Sequence, residues 1–319
     1  MKKPGEPTPV KGSRWSFVHV SDMHIGTPRS FRFQPAWNEN WTTARGQIVA
    51  LRPDFLLVGG DMTRDGSTHR LELEIVKKDL DTLPFPTHVI PGNHEIGNKF
   101  SPDSHVAIQP DYVRLYKSVF GESEWTFSHR GVRFSGCDAF LLGSGLPEEA
   151  RLREWLERQP REAREQQHVW IIHPALFADQ VFEEDWNPTT HPVEWYFVLD
   201  GSHRRYLLDI FHATGVTHII TAHIHCRRQI ELEGMQLHLA PSTAFPQWEE
   251  RWPDGDARLG FLHFTVNTSG IECTFVPLRN ISKKKGYGPG GNPPLEGRDY
   301  SIAPEQPPID PEENRKPGS

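Results

Sequence analysis

The 319-residue chain is poor in sulfur, with 3 cysteines and 4 methionines. Cys137, Cys226 and Cys273 are an odd number at wide spacing with no CxxC pair, which excludes a disulfide-stapled secreted fold and a thiolate zinc site. No apolar run approaches the roughly 18–20 residues that span a bilayer, so no membrane partner is expected. The start, MKKPGEPTPVKGSRW, is basic but broken by proline and glycine before an apolar signal segment can form. Positive charge is scarce too: 35 Lys and Arg face 42 Asp and Glu, for a net charge of −7. A duplex nucleic-acid partner is therefore disfavoured. Together these absences predict a soluble, cytoplasmic protein. What the chain has in quantity is histidine, 17 residues of it. Histidine is the commonest metal ligand and the usual acid/base group near neutral pH, so placement matters more than number.

From Trp15 onward, short apolar runs alternate with longer amphipathic stretches, the pattern of an α/β protein. Strands are predicted at Ser16–Val20, Phe55–Val58, His88–Ile90, Val169–Ile172 and His218–Thr221. Helices are predicted at Trp41–Leu51, Arg70–Leu80, Asp111–Phe120, Glu148–Arg158 and His203–Ala213. After Thr221 the pattern turns to strands: Arg227–Leu232, Met235–Ala240, Leu259–Asn267 and Ile271–Pro277, which reads as a second sheet packed on the first. Lys283–Ser319 holds 8 Pro and 6 Gly in 37 residues, the composition of a tail or strapped-down arm. The expected organisation is a tail over 1–13, one domain over 14–279 and a tail or arm over 280–319.

The chemistry-bearing residues fall at strand ends. The five early strands run into Ser21-Asp22-Met23-His24, Gly59-Gly60-Asp61, Pro91-Gly92-Asn93-His94-Glu95, His173-Pro174 and Ala222-His223-Ile224-His225. Ligands of open α/β sheets bind outside the carboxyl ends of the strands, so all five sets are expected to meet on one edge. Pairs spaced i, i+2 on extended backbone point to one face, which lets both members of Asp22-x-His24 and of His223-x-His225 reach one cluster.

Asp22, His24, Asp61, Asn93, His173, His223 and His225 make two carboxylates, one amide oxygen and four imidazoles, with no sulfur. That mixture suits borderline first-row ions rather than calcium or a structural zinc. Seven side chains are too many for one such ion with an open position, but fit two that share a carboxylate. Two ions roughly 3.5–4 Å apart activate a water and clamp the oxygens of an in-line displacement at phosphorus.

The ordered series Asp22-x-His24, Gly60-Asp61, Gly92-Asn93-His94-Glu95, His173 and His223-x-His225 resembles the calcineurin-like metallophosphoesterases over about Phe17 to Arg227. The resemblance implies a four-layer α/β/β/α sandwich of two mixed sheets flanked by helices. It also implies a dinuclear centre of iron, manganese or zinc, with Asp22, His24, Asp61 and His225 on one ion and Asp61, Asn93, His173 and His223 on the other. His94 would stand beside the metals as a non-ligand that stabilises phosphoryl oxygens or protonates the leaving group. The implied reaction is phosphate-ester hydrolysis by a metal-bridging hydroxide, on a phosphorylated small molecule or a phosphoprotein. Ala222 stands where the family has glycine. Arg64 stands where purple acid phosphatases have their charge-transfer tyrosine, and Arg64-Asp65 reverses the Asp-Arg order of the protein-phosphatase loop.

Arg64 is a candidate for gripping substrate phosphate and Asp65 for orienting His94, against the plainer reading of a loop salt bridge. The aromatic stretch Phe177–Phe197, within 175–202, is expected to form a cap over the metals with Arg29, Arg32, Trp37 and Trp41. Cys226 reads as a small buried hydrophobe. Two alternatives stand beside a general phosphoesterase: a cyclic-nucleotide phosphodiesterase, and a catalytically inactive scaffold. The scaffold should have lost ligands, and none of the seven is missing.

Overall fold

The computed structural model describes residues 14–27, 30, 33–100, 106–162 and 165–285. The expected tail over 1–13, and Arg29 and Arg32, lie outside them. The strands are β1 (Trp15–Val20), β2 (Phe55–Val58), β3 (Thr87–Val89), β4 (Trp125–His129), β5 (Val132–Gly136), β6 (Gln167–Ile171), β7 (His218–Thr221), β8 (Arg228–Leu232), β9 (Met235–Leu239), β10 (Gly260–Asn267) and β11 (Gly270–Pro277). The helices are α1 (Pro35–Leu51), α2 (Arg70–Asp81), α3 (Asn93–Ile96), α4 (Pro110–Phe120), α5 (Pro147–Arg158), α6 (Pro192–Phe197) and α7 (Gly201–Thr214).

One sheet has the order β11-β10-β1-β2-β3 and the other β4-β5-β6-β7-β9-β8. In the first, β1, β2 and β3 are parallel and the β1–β10 and β10–β11 pairs antiparallel; the second has a parallel centre and an antiparallel strand at each edge, so both are mixed. Side-chain alternation along each strand separates two cores. Phe17 of β1 stacks on Phe264 of β10 and meets Phe134 of β5 edge-on, at ring distances of 4.7 and 5.1 Å, which joins the sheets face to face. Their neighbours Val18 and Val20 belong instead to the outer core with Trp41, Ala44 and Ile48 of α1. On the far side, Trp170 of β6 is fully buried between Trp155 of α5 and Phe211 of α7. The result is the four-layer α/β/β/α sandwich.

Two expectations are corrected. The late strands do not make a sheet of their own: β8 and β9 extend the sheet of β6 and β7, while β10 and β11 extend the sheet of β1. Pairing partner is a tertiary property, and β10 finds β1 from the other end of the chain. Consequently the five motif-bearing strands are divided, β1, β2 and β3 in one sheet and β6 and β7 in the other. Their loops converge at the common end of both sheets. The β4–β5 hairpin and the short α3 and α6 were not anticipated. The described start of the C-terminal arm is strapped to α1, with Ser282 N donating to Asn40 Oδ1 at 2.8 Å; residues 286–319 lie outside the described set.

Candidate metal centre

Asp22 and His24 follow β1, Asp61 follows β2, Asn93 and His94 open α3 after β3, His173 follows β6, and His223 and His225 follow β7. Backbone bonds lock the first two loops side by side: Asp22 N donates to Gly60 O at 3.1 Å and His24 N to Asp61 O at 3.0 Å. Asp22, His24, Asp61, His223 and His225 all take positive φ, between 47° and 71°. Left-handed backbone is unfavourable for L-residues and clusters at functional sites, although Asp and His tolerate it better than most. Each such residue turns the chain back sharply and aims its side chain at one point. Gly60 sits at φ 96°, and a Cβ there would lie 2.6 Å from His173 Nδ1 and 2.7 Å from Gly92 N, so only glycine lets the three loops close up. Ala222, in place of the family's glycine, does not need positive φ and is accommodated.

The seven candidate ligands are buried together. Asp61 Oδ2 is the hub: His173 Nε2 lies 3.3 Å from it, and His24 Nε2 and His223 Nδ1 each 3.9 Å. Across the cluster, His225 Nε2 is 3.1 Å from Asp22 Oδ1 and 3.2 Å from His24 Nε2. Two sets result, Asp22-His24-Asp61-His225 and Asp61-His173-His223, each with its ligand atoms within 4.8 Å of one another. Three of the four histidines tie their other ring nitrogen back to a carbonyl oxygen: His173 Nδ1 donates to Gly59 O at 2.7 Å, His223 Nε2 to Tyr196 O at 3.1 Å and His225 Nδ1 to Phe245 O at 2.9 Å. Such bonds fix the tautomer and turn the free lone pair toward the centre. Asn93 Nδ2 donates to the Tyr196 hydroxyl at 2.7 Å, while its Oδ1 is buried with no partner among the described residues. An unpartnered buried amide oxygen added to two histidines and a carboxylate is the donor chemistry a first-row ion takes.

Burial opposes ionisation of Asp61, but the surrounding imidazoles, His173 foremost, outweigh it and hold the carboxyl well below its ordinary value. Burial pushes His223 down to about 3, helped by His173, and lowers His24 as well, so both are neutral with a lone pair to offer. Against its own burial, His173 is raised to about 9 by the charge and hydrogen bond of Asp61.

His94 approaches from the open side. Its Nε2 is 3.9 Å from Asp61 Oδ2, its backbone N–H donates to Asp61 Oδ1 at 2.9 Å, and its Nδ1 donates to Arg64 O at 2.6 Å. Arg64, also buried, places a guanidinium nitrogen 3.2 Å from His94 Nδ1 and stands 5.6 Å over the Trp37 ring. Asp65 lines, with Arg64, Asn93, His94, Tyr112 and Tyr196, a cavity that opens beside the centre. Of the expected cap, Tyr196 and Phe197 reach His223, with ring centroids 5.2 and 4.8 Å away. Trp37 faces His24 at 5.8 Å. Trp41 does not belong there: it is core, with Nε1 donating to Asp79 Oδ2 at 2.8 Å. Trp186 instead packs on His191.

Sequence reasoning assigned no task to Glu95, which is the brace of the site. Its Oε1 accepts from Thr63 N and Oγ1 at 2.9 and 2.6 Å and its Oε2 from Gly92 N at 2.8 Å, tying the loop after β2 to the loop after β3. The signal was available, since a glycine followed three residues later by glutamate is capping spacing. The contacts of Tyr196 had no local signal beyond the length of its aromatic loop.

Fold and site define a class: a two-sheet sandwich whose strand ends carry a buried Asp/His/Asn cluster with room for two ions. The family model for calcineurin-like phosphoesterases matches residues 16–227, and the chain belongs to that family, whose members hydrolyse phosphoric ester bonds. It is 27% identical to zebrafish (Danio rerio) "Serine/threonine-protein phosphatase CPPED1" over 234 residues, 66% of this chain and 69% of the relative. It is 23% identical to "3',5'-cyclic adenosine monophosphate phosphodiesterase CpdA" of Escherichia coli (strain K12) over 242 residues, 74% of this chain and 78% of the relative. Against the orangutan (Pongo abelii) CPPED1, the chain spans 54% of the relative's length. The crystallised purple acid phosphatase PPD1 of yellow lupin (Lupinus luteus) shares the fold at TM-score 0.56 and 12% identity, over 88% of this chain and 54% of that one. No helix among the described residues is long and apolar enough to cross a membrane.

Proposed function

We propose that the chain hydrolyses phosphate esters at a dinuclear centre in which Asp22, His24, Asp61 and His225 hold one ion and Asp61, Asn93, His173 and His223 the other. The observation that carries this reading is the position of Asp61 Oδ2, within 3.9 Å of imidazole nitrogens from both sets, so that Asp61 would be the ligand common to both ions. Bound there, two first-row ions (iron, manganese or zinc) supply an activated water and neutralise charge at phosphorus. The protein's own residues position and protonate. His94, held through Nδ1 by Arg64 O, turns Nε2 toward the centre, where its cationic form donates to a phosphoryl or leaving-group oxygen. The Arg64 guanidinium beside it pairs with a non-bridging oxygen, the Arg64 carbonyl takes the orienting role expected of Asp65, and Asp65 lines the same cavity.

The substrate is a phosphomonoester or small phosphodiester. Two of the relatives are named for action on phosphoproteins and on a cyclic nucleotide. The three cysteines are unpaired, which suits a reducing compartment, the cytoplasm. The test is metal content after reconstitution with iron, manganese or zinc, with turnover of a chromogenic phosphomonoester and diester. Two ions per chain and cleavage of either ester are expected; fewer than two ions and no cleavage would sink the proposal and favour the inactive scaffold. A panel of cyclic nucleotides, phosphopeptides and sugar phosphates then selects the substrate class.

A further inference from the structure

Tyr196, with Phe197 beside it, stands where the 175–202 segment meets the centre. The base of that segment is closed by Ala175 N donating to Phe197 O and Leu199 N to Ala175 O, at 3.2 and 3.0 Å. From the other side, the loop after α3 pins it: Asn98 Nδ2 donates to Tyr196 O at 3.0 Å and Lys99 Nζ to Val198 O at 3.0 Å. Beneath, buried Arg204 donates to Leu176 O and Leu199 O. Tyr196 is thus fixed by backbone and side-chain bonds, and its position is part of the built site.

The hydrogen-bond inventory of its phenol is decisive, and it rests on the reading of Asn93 as a ligand. A ligand asparagine must present Oδ1 to the ion, which leaves Nδ2 for its neighbour. Nδ2 has no lone pair to accept with, so in the 2.7 Å bond Tyr196 Oη is the acceptor. The phenolic hydrogen therefore goes elsewhere; the Asn98 amide, the other side chain within reach of the phenol, donates Nδ2 to Tyr196 O and takes Lys99 N on its Oδ1. Tyr196 lines the cavity beside the centre, together with Arg64, Asn93 and His94.

We infer that the Tyr196 hydroxyl donates a hydrogen bond to a non-bridging oxygen of the substrate phosphoryl group. Asn93 thereby has two tasks, one through each end of its amide: Oδ1 for the ion, and Nδ2 to hold the phenol so that its hydrogen points into the cavity. No bond is made or broken at Tyr196; it is a third donor beside Arg64 and His94 for charge that builds on phosphorus oxygens.

The test is Tyr196→Phe in the metal-reconstituted protein at saturating metal, with inorganic phosphate as the binding probe. The ring packs on Phe197 and His223 and remains in the variant, and the carbonyl that holds His223 is unaffected. Two ions per chain and the wild-type melting temperature should be kept. A hydrogen bond to a charged oxygen contributes about 1.5–3 kcal/mol, so phosphate should bind roughly 10- to 100-fold more weakly, with kcat/KM reduced by a similar factor. Phosphate affinity and kcat/KM within about twofold of wild type would overturn the inference. So would loss of one ion, which would confine Tyr196 to positioning Asn93. Failure of the dinuclear reading shows separately, in the metal content and turnover of the wild type.

Discussion

Replacing Asp138 by asparagine should stabilise the protein at neutral pH, by an amount that grows with pH. Asp138 follows β5 and caps the turn Ala139–Leu141, its Oδ1 accepting from Phe140 N at 3.0 Å. That turn sets Phe140 against His173 and His223, with ring centroids 5.9 and 5.7 Å away. Its Oδ2 is buried with no hydrogen-bond partner among the described residues. Burial, only partly offset by the Phe140 bond, pushes the carboxyl up from an ordinary 3.8 to about 8. Because the folded value lies above the unfolded one, the stabilisation is complete below pH 3.8 and is lost as pH rises toward 8. At about 1.4 kcal/mol per pH unit, the wild type has lost roughly 4 kcal/mol by pH 7, as an upper limit. Asparagine has the shape of the protonated acid, keeps the acceptor for Phe140 and does not titrate. The difference in unfolding free energy, variant minus wild type, should therefore climb from near zero at about pH 4 to a few kcal/mol at neutrality. Urea unfolding of both metal-free proteins at unit pH steps measures it, and the buried groups that do not interact with Asp138 cancel in the difference. A flat difference across that range would refute the reasoning, because it would mean that Asp138 is ionised in the folded chain.

Two further outcomes follow from the site. Asp61→Asn removes charge from the oxygen on which both sets converge, so both ions should be lost together on titration with a chelator; loss of one alone would remove the shared carboxylate. His94→Ala should keep both ions, because the bond to Asp61 Oδ1 comes from the backbone N–H of residue 94, which alanine retains. Its kcat should fall roughly 10²- to 10⁴-fold, the usual contribution of a positioned proton donor, and metal loss instead would make His94 a ligand.

Most of the strands that carry motifs were legible as short, mainly apolar runs buried on both faces, with β3 only half-buried: β2 and β7 have the expected limits, and β1, β3 and β6 lie within two residues of theirs. The same logic missed β4 and β5. Trp125–His129 and Val132–Gly136 interleave His129, Arg133 and Ser128 with their apolar residues, and the polar partners that make those positions tolerable, such as Glu162 for Arg133, lie far along the chain. The seven candidate ligands could be found because metal chemistry restricts residue type and spacing. The positive φ shared by five of them could not, since the loops are bonded to one another by backbone within each sheet and through His173 and Asp22 side chains across the two. Trp37 and Trp41 show the same limit in miniature. Four residues apart on α1, they read alike, yet one faces His24 and the other the core.

The pairing of β1 with β10 sets a clock on synthesis. Trp15 is among the first residues of the sandwich to leave the ribosome, and its partner is Val266. At roughly 5–20 residues per second, the nascent β1 waits on the order of 10–50 s for its antiparallel neighbour. In that interval its edge is unpaired, and for most of it Asp22 and His24 have no His225 to meet. The growing chain is therefore exposed as an open sheet edge for most of its translation, a natural client for a chaperone that shields strands. Competence to hold both ions arrives only near the end, after His225 has been made.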